Sequence, residues 1–224
     1  MDERIRRHAE TLVDWSARIE RGDDVVVSVG EGAHDLAVAV AAVLGERGAN
    51  PTTTYWSDEI HTAYLDAHDG DFEGAPAHSL ALFEHADSVL VLRGSRNDSE
   101  GAGVDSDVRR AFSTSHEPVR EARLATDWVT TVHPTRAMAQ RAGMGIADYR
   151  DFVYDAVLRD WESLGDEMAQ LKDLLDDGDE VRIVNEGADA TGSASSPGAG
   201  ETDLTISIAD RIAVNSAASV AYDS

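Results

Sequence analysis

No cysteine occurs in the 224 residues. Disulfides and thiolate metal sites are therefore excluded. Lysine is almost as scarce: of the 19 basic residues only Lys172 is a lysine. No apolar run approaches the roughly 18 residues that a membrane span requires. The N-terminus, MDERIRRHAE, is charged from the start and lacks the apolar centre of a signal peptide. A cytoplasmic location with no membrane partner follows as the expectation.

Positive charge as a whole is also short, with 43 acidic residues giving a formal net charge of −24. Disorder is not the reason, because 42% of the residues are apolar and clearly periodic. A nucleic-acid partner is disfavoured, since phosphate repels such a surface. The composition instead suits a halophilic protein working in molar salt, where the Debye length shrinks to about 3 Å and self-repulsion is screened. Carboxylates keep such a surface hydrated, and the long apolar stem of lysine is avoided. Charge then reports habitat rather than activity.

What is present is a regular alternation of apolar patterns. Residues 2–21 read as an amphipathic helix with Ile5, Ala9, Leu12, Val13, Ser16 and Ile19 near one face. Val25 to Val29 is an almost wholly apolar strand, as when both sheet faces are covered. Gly30-Glu31-Gly32 is the turn into a helix from His34 to Arg47, which Gly48 ends. Pro51 to Trp56 is the next strand, and Ser57 caps a helix through His68. After the loop 69–77 come a helix through Leu80, Leu82 and Phe83 and the strand Ser88–Leu92. A polar Gly- and Ser-rich loop spans 94–106, a helix runs from Asp107 to about Phe112, and helical character returns from Arg120. Strands and helices joined by short turns give a parallel sheet with right-handed crossovers.

The segment from Ala125 to Trp161 organises the rest. Trp128 to Val132 is a strand that Pro134 stops, for want of a ladder N–H. Thr135 caps a short helix through Ala142, and Gly143 terminates it. From Ile146 the apolar positions Val153, Val157, Trp161, Leu164, Met168, Leu171 and Leu175 follow one helical face. Unbroken to Asp176, that helix would be about 45 Å long at roughly 1.5 Å per residue, with Gly165 as a point of bending. Asp176 to Glu180 is a turn, Val181 to Val184 a strand, and 186–202 a low-complexity Gly/Ser/Ala loop. DLTISI, Asp203 to Ile208, alternates as a half-buried antiparallel strand does.

Chemistry is thinly marked. Gly30-Glu31-Gly32 sits where a phosphate-binding turn would, but the dinucleotide pattern needs a small residue at position 35, which is Asp35. Two carboxylates there repel a pyrophosphate, so a plain tight turn is preferred. His8, His34, His61, His68, His78, His85, His116 and His133 form no H-x-x-x-H or H-E-x-x-H pair. His68-Asp69-Gly70-Asp71 reads as a solvated acidic turn, and Asp176-Asp177-Gly178-Asp179-Glu180 fails calcium-loop spacing. The nucleophile elbow G-x-S-x-G is absent. No catalytic, cofactor-binding or metal-ligating residue is assigned.

Several segments nevertheless resemble one family when taken in order. They are MDERIRRHAETLVDWSARIERGDDVVV, HPTRAMAQRAGM, IADYRDFVYDAVLRDW, VRIV and TDLTISIADR. Together they are similar to the N-terminal domain of the thermophilic dinuclear-metal aminopeptidases of the aminopeptidase T and S type, over residues 1–216. The resemblance implies an α/β domain, two divalent metal ions of zinc or cobalt type, peptides as substrates and a homodimer. It also implies metal ligands (two Glu, two His and an Asp) beyond the TDLT strand, the first in an N-x-P-x-x-E-V-F-like segment. Asn215-Ser216 fits the approach to that segment, after which the sequence reads AASVAYDS. No residue here matches a ligand.

The fold class expected is therefore α/β: a mainly parallel sheet with flanking helices, a long C-terminal helical segment, and the start of an incomplete second β domain. Residues 1–180 would be the α/β domain and 181–224 the first strands of a truncated catalytic-type domain. A metallo-aminopeptidase by family, the 224-residue chain is expected to bind no specific metal and to be inactive alone. The alternative is a non-enzymatic module that pairs with a full-length relative or a separate catalytic half.

Overall fold

The computed structural model describes residues 2–96, 103–185 and 202–222. The predicted loop 186–202 lies outside the described residues except for Thr202, as do residues 97–102 of the polar loop. Two compact units result, residues 1–160 with 218–222 and residues 161–217.

The first unit begins with α1 (Glu3–Glu10), capped by the Asp2 carboxylate accepting from the Arg4 N–H at 3.0 Å. The predicted helix does not run on as an α-helix. Thr11–Ser16 is a π-helical run, with the Ala17 N–H donating to the Leu12 carbonyl at 2.9 Å, and Arg18 takes a left-handed φ of 53°. The wider turn re-phases the apolar face. It lets Leu12, Val13, Ala17 and Ile19 all be buried.

Thereafter the chain alternates. β1 (Asp24–Gly30), α2 (His34–Arg47), β2 (Asn50–Trp56), α3 (Asp58–Ala67), α4 (Ala77–Glu84), β3 (Ser88–Arg93), α5 (Ser106–Ser115), α6 (Glu117–Leu124), β4 (Asp127–Val132), α7 (Arg136–Arg141) and α8 (Ile146–Val157) follow in turn. The sheet is wholly parallel in the order β2-β1-β3-β4. Val25, Val27, Val29, Leu90 and Leu92 face α1, the π-helical run, α2 and Tyr154, and form the main core. Fully burying each such side chain contributes roughly 1.5–3 kcal/mol. Val26 and Val89 are buried too, though outside that cluster, so central β1 is covered on both faces as predicted. Edge strand β2 is largely exposed and tolerates Pro51, whose missing N–H costs an edge little.

The second unit holds α9 (Trp161–Asp176) and an antiparallel ribbon of β5 (Glu180–Asn185) and β6 (Thr202–Ser207). The single long helix expected from Ile146 is corrected here. α8 ends at Leu158, whose ψ of 30° is not helical, and α9 starts afresh at Trp161. Asp160, a favoured N-cap type, is the overlooked signal. Gly165 lies inside α9 and is not the break. DLTISI does pair antiparallel, but every residue of β6 is exposed rather than half-buried. Alternation alone does not bury a face in a two-stranded ribbon. Among the described residues no helix is long and apolar enough to cross a membrane.

Candidate functional site

In the strand order β2-β1-β3-β4, the chain leaves β1 for β2 on one side while β3 lies on the other. The carboxyl ends of β1 and β3 are therefore a topological switch point, where open parallel sheets hold ligands. Glycine lets the backbone crowd there. The Gly32 N–H donates to the Gly94 carbonyl at 2.7 Å. A Cβ on Gly32 would stand 2.7 Å from that carbonyl oxygen and 2.7 Å from Thr135 Cγ2. Contact this close admits no side chain.

That packing settles the turn at Gly30-Glu31-Gly32. The Glu31 N–H donates to the Trp56 carbonyl, Gly32 to Gly94 and Ala33 to Gly30. All three turn amides are spent inside the protein, so they do not form a phosphate cradle. Glu31 is itself engaged, accepting from Ser57 Oγ at 3.1 Å.

The ends of β3 and β4 are tied together beside it. His133 donates its N–H to the Arg93 carbonyl at 2.7 Å, and Thr135 Oγ1 donates to the Ser95 carbonyl at 2.7 Å. The same hydroxyl oxygen accepts from the Met138 N–H and so caps α7, as the sequence predicts, with Gly143 terminating at φ 67°.

Several cavities open here. One of about 380 Å³ lies over the ends of β1, β2 and β3, between Gly30, Trp56, Asp58 and Arg93. The second, about 590 Å³, is bounded by the starts of α2, α7 and α8. His34, Arg96, His133, Arg136 and Arg150 line it, with Glu31 and Asp35 as its carboxylates. His133 is buried and its Nδ1 has no hydrogen-bond partner. Burial pushes its pKa down, against the pull of Asp35, and keeps the ring neutral. His8 lies behind, fully buried, with Nε2 hydrogen-bonded to Thr131 Oγ1 at 2.8 Å and its ring edge-on to Tyr154. Burial, aided by nearby His133, drives its pKa down to about 4.

The other turns weighed from sequence lie elsewhere. The His68 ring stacks on Phe72 at 3.9 Å, its Nδ1 accepts from the Gly70 N–H, and Asp69 accepts from the Asp71 N–H. His61 and His116 flank Phe112 in the same aromatic group. Asp176 pairs with Lys172 and accepts from the Ala213 N–H. Among the described residues no three His, Asp or Glu side chains are grouped to hold a metal ion. His8 and His133 are two side chains only, with no third His, Asp or Glu grouped with them among the described residues. Sequence reasoning missed His133 and the arginines; the signal available was the HPTR run at a strand end.

The sequence pattern of the thermophilic metalloprotease (M29) family matches residues 1–215. No curated protein matches the chain. Among solved structures, wild-type AmpT from Thermus thermophilus is similar at 18% identity and a TM-score of 0.61, over 77% of this chain. The match takes in 49% of that chain, so the present sequence spans about half of its length. CurK enoyl reductase aligns over 67% of this chain and 48% of its own at 15% identity, but its TM-score of 0.27 carries nothing further.

Proposed function

We propose, from the premise that this chain belongs to the thermophilic metalloprotease (M29) family, that it serves the metal-dependent removal of N-terminal amino acids from peptides, as scaffold rather than catalyst. The family match over residues 1–215 carries the proposal. Divalent metal ions in such a family activate water for hydrolysis. The described residues do not fit such a centre, and no catalytic step is assigned to them. We take the centre to hold two ions of zinc or cobalt type, bound by a segment other than these residues, with peptides as substrates and the cytoplasm of a salt-adapted cell as the setting. Residues 1–180 are the α/β N-terminal domain in this proposal, and 181–224 open a catalytic-type domain.

The test is direct. The purified 224-residue chain is incubated with aminoacyl-p-nitroanilides and added cobalt or zinc, and its metal content is measured after dialysis. No release of nitroaniline and no retained metal are expected. Chelator-sensitive cleavage by the chain alone would overturn the scaffold role.

A second possibility is favoured by the β5–β6 ribbon. Ile183, Val184, Leu204 and Ile206 are 43–53% exposed there, on strands whose outer edges are unpaired among the described residues. Exposed strand edges recruit other chains. The chain would then act as an assembly module, as a homodimer or with a full-length relative or separate catalytic half. Co-purification of such a partner from the host is the expected result; recovery only as a free monomer refutes it.

A further inference from the structure

We propose that a third cavity, about 340 Å³ between α1, α2 and α8, binds a free apolar α-amino acid. Asp35 takes the ammonium, Arg150 and the Tyr154 hydroxyl take the carboxylate, and Ile5 and Val38 take the side chain. The volume suits such a ligand, since small-molecule pockets span about 300–1,000 Å³.

Tyr154 carries the proposal. Only 3% of it is exposed, and its ring belongs to the main core. The Arg4 guanidinium carbon stands 4.8 Å from the ring centroid, and the His8 ring meets it edge-on at 6.2 Å. The ring is therefore fixed. Its hydroxyl nonetheless has no hydrogen-bond partner among the described residues. A buried tyrosine hydroxyl ordinarily has one, so a polar end left free on a fixed ring marks a place where a ligand completes the hydrogen bonding. Burial pushes its pKa up, which keeps it protonated as a donor. The charges of Asp2, Arg150 and Asp35 all act on that hydroxyl. Those three residues line the cavity together with Tyr154, which sets the hydroxyl at its wall.

The charges set the class of ligand. Asp2 is already engaged by Arg4 at 3.0 Å, and Arg4 also holds Asp151. Asp35 and Arg150 pair neither with each other nor with another described residue. Both also act on buried His133, which lines the same cavity. Unpaired charges are common on this surface, but here one of each sign faces the same buried tyrosine. A lone anion is drawn to Arg150 and repelled by Asp35, and a lone amine meets the reverse. A molecule carrying an ammonium and a carboxylate a few bonds apart meets both favourably. Ile5 and Val38 add an apolar wall, which favours an apolar side chain. The proposal does not depend on the peptidase reading.

The test is calorimetric titration of the full 224-residue chain with L-leucine, L-leucinamide and N-acetyl-L-leucine at one salt concentration. Leucinamide keeps the ammonium alone and stands for the first residue of a peptide; N-acetyl-leucine keeps the carboxylate alone. Saturable single-site heat with leucine is expected, about tenfold or more tighter than with either analogue. Tyr154→Phe deletes the hydroxyl but keeps the ring in the core, and should weaken leucine binding by about tenfold. Asp35→Asn, at an exposed position on α2, should abolish the preference for leucine over N-acetyl-leucine. Arg182→Gln, in the other unit, should leave binding unchanged. One readout needs no variant to fold: the Tyr154 ring resonance of wild type should move on adding leucine. No saturable heat with leucine, an analogue that binds as tightly, undiminished binding in Tyr154→Phe, or an unmoved Tyr154 resonance would each overturn the proposal.

Discussion

Acid should weaken this protein through His8, and the size of the effect follows from its surroundings. The ring is enclosed, hydrogen-bonded through Nε2 to Thr131 and set against Tyr154, so it folds in neutral form. Its native pKa is about 4, against an ordinary value of 6.5. Between those values the unfolded chain binds a proton that the native chain refuses. Stability is therefore complete above about pH 6.5, falls as pH drops, and is fully lost for this group below about pH 4. At 1.36 kcal/mol per pH unit the whole window is worth about 3 kcal/mol. By pH 5 about 2 kcal/mol of that is gone. Measurement should stop there, because the isoelectric point near 4.4 invites precipitation. Urea unfolding of wild type and His8→Gln, at fixed high salt between pH 7 and pH 5, isolates the term, since all carboxylates are shared. The stability gap between the two proteins should shift by about 2 kcal/mol in favour of the variant as pH falls. A gap that stays constant over the window would refute the assignment of a neutral, desolvated His8.

Gly32→Ala drives a Cβ into the Gly94 backbone and should cost roughly 3 kcal/mol in urea unfolding, whereas Gly45→Ala, on the open face of α2, should stabilise by about 0.5–1 kcal/mol. Thr135→Val removes both the α7 cap and the tie to Ser95, and should lower stability by about 2 kcal/mol while loosening the cavity, visible as faster amide exchange at Met138. Raising KCl from about 0.1 M to about 1 M should raise the melting temperature, because screening relieves the repulsion of a chain of net charge −24. A fall would contradict the salt-adapted reading of the composition.

Local chemistry made much of the first unit legible. Ser57 and Thr135 cap where an N-cap residue precedes an apolar period, and Gly48 and Gly143 end their helices in left-handed conformations. The run of valines in β1 announced a strand covered on both faces, and it is the sheet's centre. Failures came where one period fitted two structures. The steps from Val153 to Leu175 continue across Leu158–Asp160, because a short interruption barely disturbs a pattern of threes and fours. Similarly, a π-helical run at Thr11–Ser16 keeps a face apolar while changing the winding beneath it.

The cavity at the starts of α2, α7 and α8 was hidden for a different reason. Its residues come from four stretches, 31–35, 95–96, 133–137 and 146–150, and only the sheet's strand order brings them together. None of the four is a motif by itself. Gly30-Glu31-Gly32 attracted notice as a phosphate turn, yet its glycines serve the backbone contact with Gly94 and its amides are occupied.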